Sequence, residues 1–384
     1  MKRVYFVGKL RGFLKNLICN PPTGIQYINS EEVEYYEINS STKIKIRKIF
    51  KSKIFDKLGL IIRLKNPKIF SSYDISVTYN RFLKTNKPYI IIIENPTALY
   101  HYSLDRGCSL LGKKRLKKYL NDSNLKGFIC LSKSCEQTIN QLLNYQIPKN
   151  KFIEQIYPLI PKNSRICDEN FTNIIESEEI KCLFISSQFE LKSGQEIIEC
   201  FKKIKNKKIK LTIVSVVSNI KSETLEFIKN NPNINLINFN LSFAELENLY
   251  ATHDILLHLS RQDSSALVVL EALKGGMSIL ATNQYALKEM VINDYNGYTI
   301  TPQYEFFTKD NLPNPTVWNN RENTIYSDFL DYNIIDFMFK KIIYLSENRE
   351  ILQKMKKNSL FLATEGEFSE EYIKEKWRKI YNRN

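Results

Sequence analysis

At 384 residues the chain is longer than one ordinary core organises, and it suits two domains of similar size, each able to bury a substantial interior. Its formal charge of +15 is unevenly spread: residues 1–160 hold 28 Lys and Arg against 11 Asp and Glu, whereas the rest holds 28 against 30. The seven cysteines form no CxxC pair and have no neighbouring histidine, which argues against a disulfide framework or a zinc site. The apolar run at the N-terminus ends at Gly8, too short for a signal peptide or a membrane span. A cytoplasmic location is the expectation.

In chain order, short β-branched runs alternate with longer amphipathic stretches, the pattern of parallel sheets with crossover helices. Residues 4–7, 75–78, 89–93 and 127–131 predict strands, and 134–143 a helix. Basic residues crowd into two segments of this half. Residues 43–68 hold ten Lys and Arg against Asp56 alone, and Lys113, Lys114, Arg115, Lys117 and Lys118 follow later. Such patches suit an anionic membrane surface, an anionic acceptor or nucleic acid. Residues 156–162, broken by Pro158 and Pro161, predict an interdomain linker.

A second series follows. Strands are expected at 181–186, 211–217, 234–239, 255–259 and 278–281, with helices at 195–204, 243–252, 266–274 and 286–292. Residues 303–328 interrupt the rhythm with polar, aromatic and proline-rich sequence and predict an inserted loop. Helices at 334–346, 349–363 and 369–381 close the chain. The domains are therefore placed at 1–160 and 161–368, with 369–384 as a final helix.

The most informative stretch is Ser260-Arg261-Gln262-Asp263-Ser264-Ser265-Ala266-Leu267, running through Glu271 to Gly276. It reads as a strand end, a polar turn and a helix start, with Asp263, Ser264 or Ser265 suited to cap the first turn. The N–H groups of Ser264, Ser265, Ala266 and Leu267 and the helix dipole would make an anion site for a diphosphate. Glu271, further along, suits a ribose diol, and Asp263 at the turn suits a sugar beyond the phosphates.

This segment resembles the acidic-x7-acidic signature of the retaining glycosyltransferases of family 4, with Asp263 and Glu271 as the two acids. Residues 283–289 and Asn293-Asp294-Tyr295-Asn296-Gly297 are similar to the family's following turn and Asn-Gly motif. Asn240-Leu241 resembles its base-side loop, residues 128–134 its last N-domain strand, and residues 368–381 its terminal helix. The resemblance covers roughly 125–302 and 334–381. It implies an α/β GT-B fold, two Rossmann-like domains facing a central cleft, with the C-terminal helix returning to the N-domain. It also implies transfer of a sugar, with retention, from a UDP- or GDP-sugar to a glycan or lipid-linked acceptor. No other cofactor is implied.

Lys192 resembles the family lysine that neutralises the donor pyrophosphate, where stabilising the leaving group helps catalysis most. Ser187 stands where the family has an arginine, and Arg261 on the neighbouring turn is a candidate substitute. No Asp-x-Asp occurs, which favours a metal-independent site. On the acceptor side, Gly8 follows the first strand and Glu94-Asn95 follows strand 89–93, making Glu94 a candidate acceptor-orienting or proton-accepting carboxylate. His101 and His253 are assigned to packing. Competing readings are a nucleic-acid-binding or nucleic-acid-glycosylating protein, resting on charge alone without a specific nucleic-acid motif, a nucleotide-sugar epimerase, and a catalytically silent GT-B binding module.

Overall fold

The computed structural model describes residues 1–34, 53–65, 72–143, 146–167, 171, 174–175 and 177–383. Of the basic segment 43–68, only 53–65 falls among the described residues. The chain forms two compact units, Met1–Leu159 with Glu370–Asn384, and Ile160–Ser369.

The first unit runs β1 (Lys2–Val7), α1 (Leu14–Cys19), β2 (Ile25–Tyr27), α2 (Lys53–Lys57), β3 (Arg63–Lys65), β4 (Ile75–Tyr79), β5 (Phe82–Lys84) and β6 (Tyr89–Ile93). It continues with α3 (Leu104–Cys108), α4 (Leu110–Leu120), β7 (Leu125–Cys130), α5 (Lys133–Leu143) and β8 (Phe152–Gln155). Six of these strands form a parallel sheet in the order β2-β1-β4-β6-β7-β8, while β3 and β5 pair separately. The residues of β4 and β6, Ile-Ser-Val-Thr-Tyr and Tyr-Ile-Ile-Ile-Ile, are buried throughout, as expected of strands covered on both faces. Sequence order reverses between β1 and β4, so the crevice at the carboxyl ends of these strands is the place where such a sheet takes a ligand.

The second unit runs β9 (Ile180–Ser186), α6 (Gly194–Lys203), β10 (Ile209–Ser215), α7 (Ser222–Asn230), β11 (Ile234–Asn238) and α8 (Phe243–Thr252). Then follow β12 (Ile255–His258), α9 (Leu267–Lys274), β13 (Ser278–Thr282), α10 (Leu287–Met290), β14 (Gly297–Ile300), α11 (Pro315–Trp318), α12 (Tyr332–Glu347) and α13 (Arg349–Thr364). Its parallel sheet has the order β11-β10-β9-β12-β13-β14, reversing between β9 and β12. The ladder joining those two strands covers only Ile255 with Cys182 and Leu256 with Leu183. Their carboxyl ends therefore continue without pairing to each other, and an opening results at the reversal point.

The last helix, α14 (Glu370–Asn382), belongs to the first unit. Ile373, Trp377, Ile380 and Tyr381 form its buried stripe, the spacing of one helical face. Trp377 stacks on Tyr381, and Tyr381 meets Tyr27 of β2 edge to face, with centroids 6.2 Å apart. Lys376 Nζ donates to the carbonyl of Gln155, the last residue of β8, at 2.7 Å.

Residues 303–328 fold on an aromatic cluster. The Trp318 ring stacks on Phe306 with centroids 4.6 Å apart, Phe307 stacks on Tyr285, and the Arg321 guanidinium lies 4.6 Å from the Trp318 centroid. Trp318 Nε1 donates to the Phe306 carbonyl at 2.7 Å. Composition predicts an inserted loop here; in the structure the segment carries the short helix α11 and its aromatics pack on one another and on Tyr285. Strands β2, β8 and β14 and helices α4 and α7 extend the elements expected from sequence, and α10 is shorter than the predicted helix at 286–292.

Candidate functional site

In the second unit the candidate residues collect around the opening between β9 and β12. A turn of 3-10 helix, Glu190–Lys192, follows β9, and Ser193 leaves it with φ of 60°. Ser193 Oγ donates to the Leu259 carbonyl at 2.6 Å, and the Arg261 N–H donates to the Leu191 carbonyl at 3.0 Å. These bonds lock the turn carrying Lys192 to the strand end carrying Asp263.

Lys192 Nζ donates to Asp263 Oδ2 at 2.8 Å, Ser260 Oγ at 2.9 Å and the Gln262 carbonyl at 2.7 Å. These three bonds match the three donors of an ammonium group. Both side chains are largely buried, 15% and 13% exposed. His258, the last residue of β12, places Nε2 2.7 Å from the same Asp263 oxygen. The carboxylate can only accept, which puts the proton on Nε2. Burial alone would raise the Asp263 pKa, but Lys192 and His258 outweigh it and hold the carboxyl well below the usual range.

None of Asp263, Ser264 and Ser265, the three residues suited to cap α9, does so. Asp263 Oδ1 accepts from the Ser264 N–H at 3.0 Å. The helix begins at Leu267 with Ala266 in the capping position, and no side chain caps it. The reason is geometric: Asp263 is turned towards Lys192 and His258, and the turn needs Ser264, Ser265 and Ala266 before the helix can start. The first-turn N–H groups therefore meet no protein side-chain cap, an arrangement suited to an anion.

Glu271 lies farther along α9, where its Oε2 accepts from the Tyr250 hydroxyl of α8 at 2.7 Å. Burial pushes its pKa up to about 7, the Tyr250 hydrogen bond opposing the rise. On the other side of the sheet's reversal point, Asn240 is exposed and Leu241 half-buried beyond β11. Leu241 helps line a cavity of about 450 Å³ with Arg165, Ile237, Ala244, Glu245, Asn248 and Leu249.

Arg261 takes a different part from the one considered for it. It is 3% exposed, and its Nη2 donates to Glu196 Oε1 at 2.6 Å and to the Phe329 carbonyl at 2.8 Å, while Nη1 donates to the Ser327 carbonyl at 2.9 Å. The guanidinium is thus turned into the unit, tying α6 to the end of segment 303–328 and to Phe329 just after it, and is not presented to a phosphate. Ser187 is held through its carbonyl by Asn219 Nδ2 at 3.1 Å.

Three contributors escaped the sequence reading. His258 carried a signal, a polar residue ending an apolar strand five positions before Asp263. Tyr250 and Gln284 carried none, because their partners are distant in sequence. Gln284 Nε2 donates to the Ser260 carbonyl at 3.0 Å and its Oε1 accepts from the Phe306 N–H at 3.1 Å, joining the site turn to the insertion. Tyr326 of the insertion also donates to Gln262 Oε1 at 3.3 Å.

In the first unit, Gly8 follows β1 with φ of 84°, and a Cβ there would lie 2.7 Å from Leu64 Cδ1, so both conformation and space favour glycine. Glu94, following β6, accepts from Tyr79 at 2.6 Å and from Tyr102 at 2.5 Å, one hydroxyl on each oxygen. Burial and then the Glu94 charge raise both tyrosine pKa values. Asn95 is buried, its Oδ1 accepting from the Thr97 N–H at 2.9 Å as cap of the 3-10 turn Pro96–Tyr100. His253 packs in the second unit, bonding Leu249 and Thr212, with its pKa lowered by burial to about 4. Burial, with Arg81 and Arg106 adding to it, also lowers that of the half-buried His101, to about 3. Among the described residues no group of three His, Cys, Asp or Glu is placed to hold a metal ion.

Residues 168–306 match the family described as glycosyl transferases group 1. The whole chain is similar in fold to the crystal structure of a glycosyltransferase from Rickettsia africae, with 17% identity, TM-score 0.61 and coverage of 100% of this chain and 98% of that one. Anabaena Alr3699/HepE in complex with UDP and glucose, and WaaG, a glycosyltransferase involved in lipopolysaccharide biosynthesis, each match at 11% identity and TM-score 0.60 with both chains fully covered. No curated protein matches in sequence. The architecture is GT-B, two Rossmann-like sheets. The group 1 match spans Lys192, Asp263 and Glu271, and the class of protein is a glycosyltransferase.

Proposed function

We propose that the protein transfers a sugar, with retention and without a metal ion, from a UDP- or GDP-sugar to a glycan or lipid-linked acceptor at the cytoplasmic face of a membrane. The observation carrying this reading is the convergence of Lys192, Asp263 and the uncapped start of α9 at the sheet's reversal point. The complexes of HepE with UDP and with UDP-glucose support the choice of donor, and resemblance to family 4 supports retention.

In this reading the diphosphate lies against the first turn of α9, where N–H groups and dipole favour negative charge. Lys192 exchanges its contact with Asp263 for the phosphates and neutralises charge as the nucleotide leaves. Asp263, released from that pair but still bonded to His258, turns to the donor sugar. Glu271 accepts the ribose diol. Glu94, steadied by Tyr79 and Tyr102, orients or deprotonates the acceptor hydroxyl, with Gly8 leaving room beside it and Asn95 shaping the turn. Ser187 leaves the leaving group with one cation fewer than the resemblance implies.

The test is a panel of nucleotide-sugars, scored for release of free nucleotide with and without membrane extract, beside calorimetric binding of UDP, GDP and ADP. Acceptor-dependent release supports transfer. Binding without release identifies a silent module, an isomerised donor without acceptor identifies an epimerase, and absence of both binding and release rejects the reading.

A further inference from the structure

We propose that α2 and the first three turns of α4 form a membrane-docking surface that inserts apolar side chains between anionic headgroups. The proposal rests on the membrane-surface part of the function above and names the residues that would carry it. Sequence pointed here through charge alone, whereas the structure adds aliphatic side chains beside the lysines.

Four large aliphatic residues are exposed in this region: Ile54 at 69%, Leu58 at 50%, Leu110 at 87% and Leu111 at 51%. They belong to one patch because the two helices touch through glycines. Gly59 has φ of 58°, and a Cβ on it would lie 2.2 Å from the Gly112 nitrogen and 2.6 Å from the Leu111 carbonyl carbon. Leu58, next to Gly59, is therefore beside Leu111, and Ile54 lies one helical turn before Leu58, whose N–H it accepts at 3.0 Å.

The platform beneath is rigidly tied. Arg106 is buried and bonds Asp56 Oδ1 through Nε at 3.1 Å and Nη2 at 2.9 Å, and the Leu60 carbonyl at 3.2 Å. Arg115 Nη1 donates to the Gly59 carbonyl at 3.2 Å. Two charges that could have faced solvent, Asp56 and Arg106, are thus spent holding α2 against α3.

Along α4, Gly112, Leu116 and Leu120 face inward. Leu110, Leu111, Lys113, Lys114, Lys117 and Lys118 are all exposed, as are Lys53 and Lys57 on α2. The apolar residues occupy the start of α4 and the lysines its following turns. Long lysine stems let the ammonium groups reach a headgroup layer while the leucines sit deeper.

A membrane fits this surface better than other occupants. The four aliphatic residues and six lysines of this surface contrast with protein interfaces, which concentrate aromatics, Met and Arg and are depleted in Lys. A second copy of the chain would set lysines against lysines. Nucleic acid would satisfy the lysines but offers little to four aliphatic tips, since its single strands are held by aromatic stacking. Only an anionic bilayer supplies both partners.

The experiment uses the full chain and sedimentation with vesicles of phosphatidylcholine alone or mixed with phosphatidylglycerol. Wild type should bind the mixed vesicles and not the neutral ones. Each lysine near an anionic surface contributes about a fivefold gain in partition, so Lys113, Lys114, Lys117 and Lys118 changed to Gln should lower binding by nearly three orders of magnitude, about 600-fold. Leu110→Gln with Leu111→Gln, which leaves every charge in place, should still lower it by about tenfold or more. Leu111→Trp should show fluorescence quenched by brominated lipid. Binding unchanged in the leucine pair, absence of quenching, equal binding to neutral vesicles, or tighter binding to single-stranded DNA or to an acidic protein would each overturn the proposal. UDP binding measured on the same variants separates the two readings. Lost vesicle binding with intact UDP binding removes only the docking surface in a variant, and wild type that binds vesicles but no nucleotide removes only the donor site.

Discussion

If Glu271 takes the ribose as proposed, its carboxyl should couple pH to both stability and nucleotide binding. Burial raises its pKa from 4.5 to about 7 in the folded chain. Between these values the folded state holds a proton that the unfolded state has lost, so its contribution to stability is full below about pH 4.5 and is lost as pH rises to about 7. At about 1.4 kcal/mol per decade, the interval bounds the effect at about 3.5 kcal/mol. A ribose diol donating two hydrogen bonds needs the ionised form. With a pKa near 7, roughly a tenth of the carboxyl is ionised at about pH 6 and nine-tenths at about pH 8, so affinity should rise by about tenfold across that span. Binding near pH 6 should release close to one proton. UDP also titrates through its terminal phosphate, so Glu271→Gln supplies the reference that removes this background. Calorimetry with UDP, in two buffers of different ionisation heat, measures affinity and proton release together. The same pH slope and proton count in wild type and Glu271→Gln would refute the reasoning. Thermal unfolding gives an independent reading, because Glu271→Gln should flatten the loss of stability between about pH 4.5 and pH 7.

The other predictions concern the groups around this carboxyl. Lys192→Ala should leave the second unit folded but cost about 1.5–3 kcal/mol in the transfer step through loss of a charge-assisted contact, and unchanged kinetics with a nucleotide-sugar donor would remove it from the site. Asp263→Asn should lower turnover more than UDP affinity, which steady-state kinetics set beside calorimetry will resolve. Because its folded pKa is depressed, the stabilisation that Asp263 adds is present above about pH 3.8 and is lost as pH falls below it. Arg261→Met should destabilise by about 3–5 kcal/mol by stranding Glu196 in the interior, whereas Arg261→Met with Glu196→Leu should recover much of this in denaturant melts. Glu94→Gln should lower acceptor-dependent turnover and leave UDP binding unchanged, and a parallel loss of UDP binding would contradict its placement on the acceptor side.

What the sequence determined by itself was the alternation of strands and helices and the identity of the turn from Ser260 to Leu267. Buried parallel strands such as Tyr89–Ile93 announce themselves as continuous β-branched runs, since both their faces are covered. The short strands at Ile25–Tyr27 and Phe152–Gln155 lie at the sheet edges, where three or four residues give too little pattern to read. Charge was legible as composition, but not which side chains it accompanied: Leu110 and Leu111 read as ordinary helix residues, and only packing through Gly59 and Gly112 places them beside Ile54 and Leu58. The role of Arg261 was also a tertiary decision. Strand-end arginines look alike in sequence, and this one is buried because Glu196, 65 residues away, and three carbonyls, 64 to 68 residues away, converge on it. The same holds for Asp263. Its spacing to Glu271 and its neighbour His258 are local, yet its hydrogen bond from Lys192 arises from the meeting of β9 and β12, two strands adjacent in the sheet and far apart in the chain. Local pattern fixes where a strand ends and a helix begins, because those preferences act over a few residues. Which charges meet across the sheet depends on strand order, and that is settled only when the whole unit buries its core.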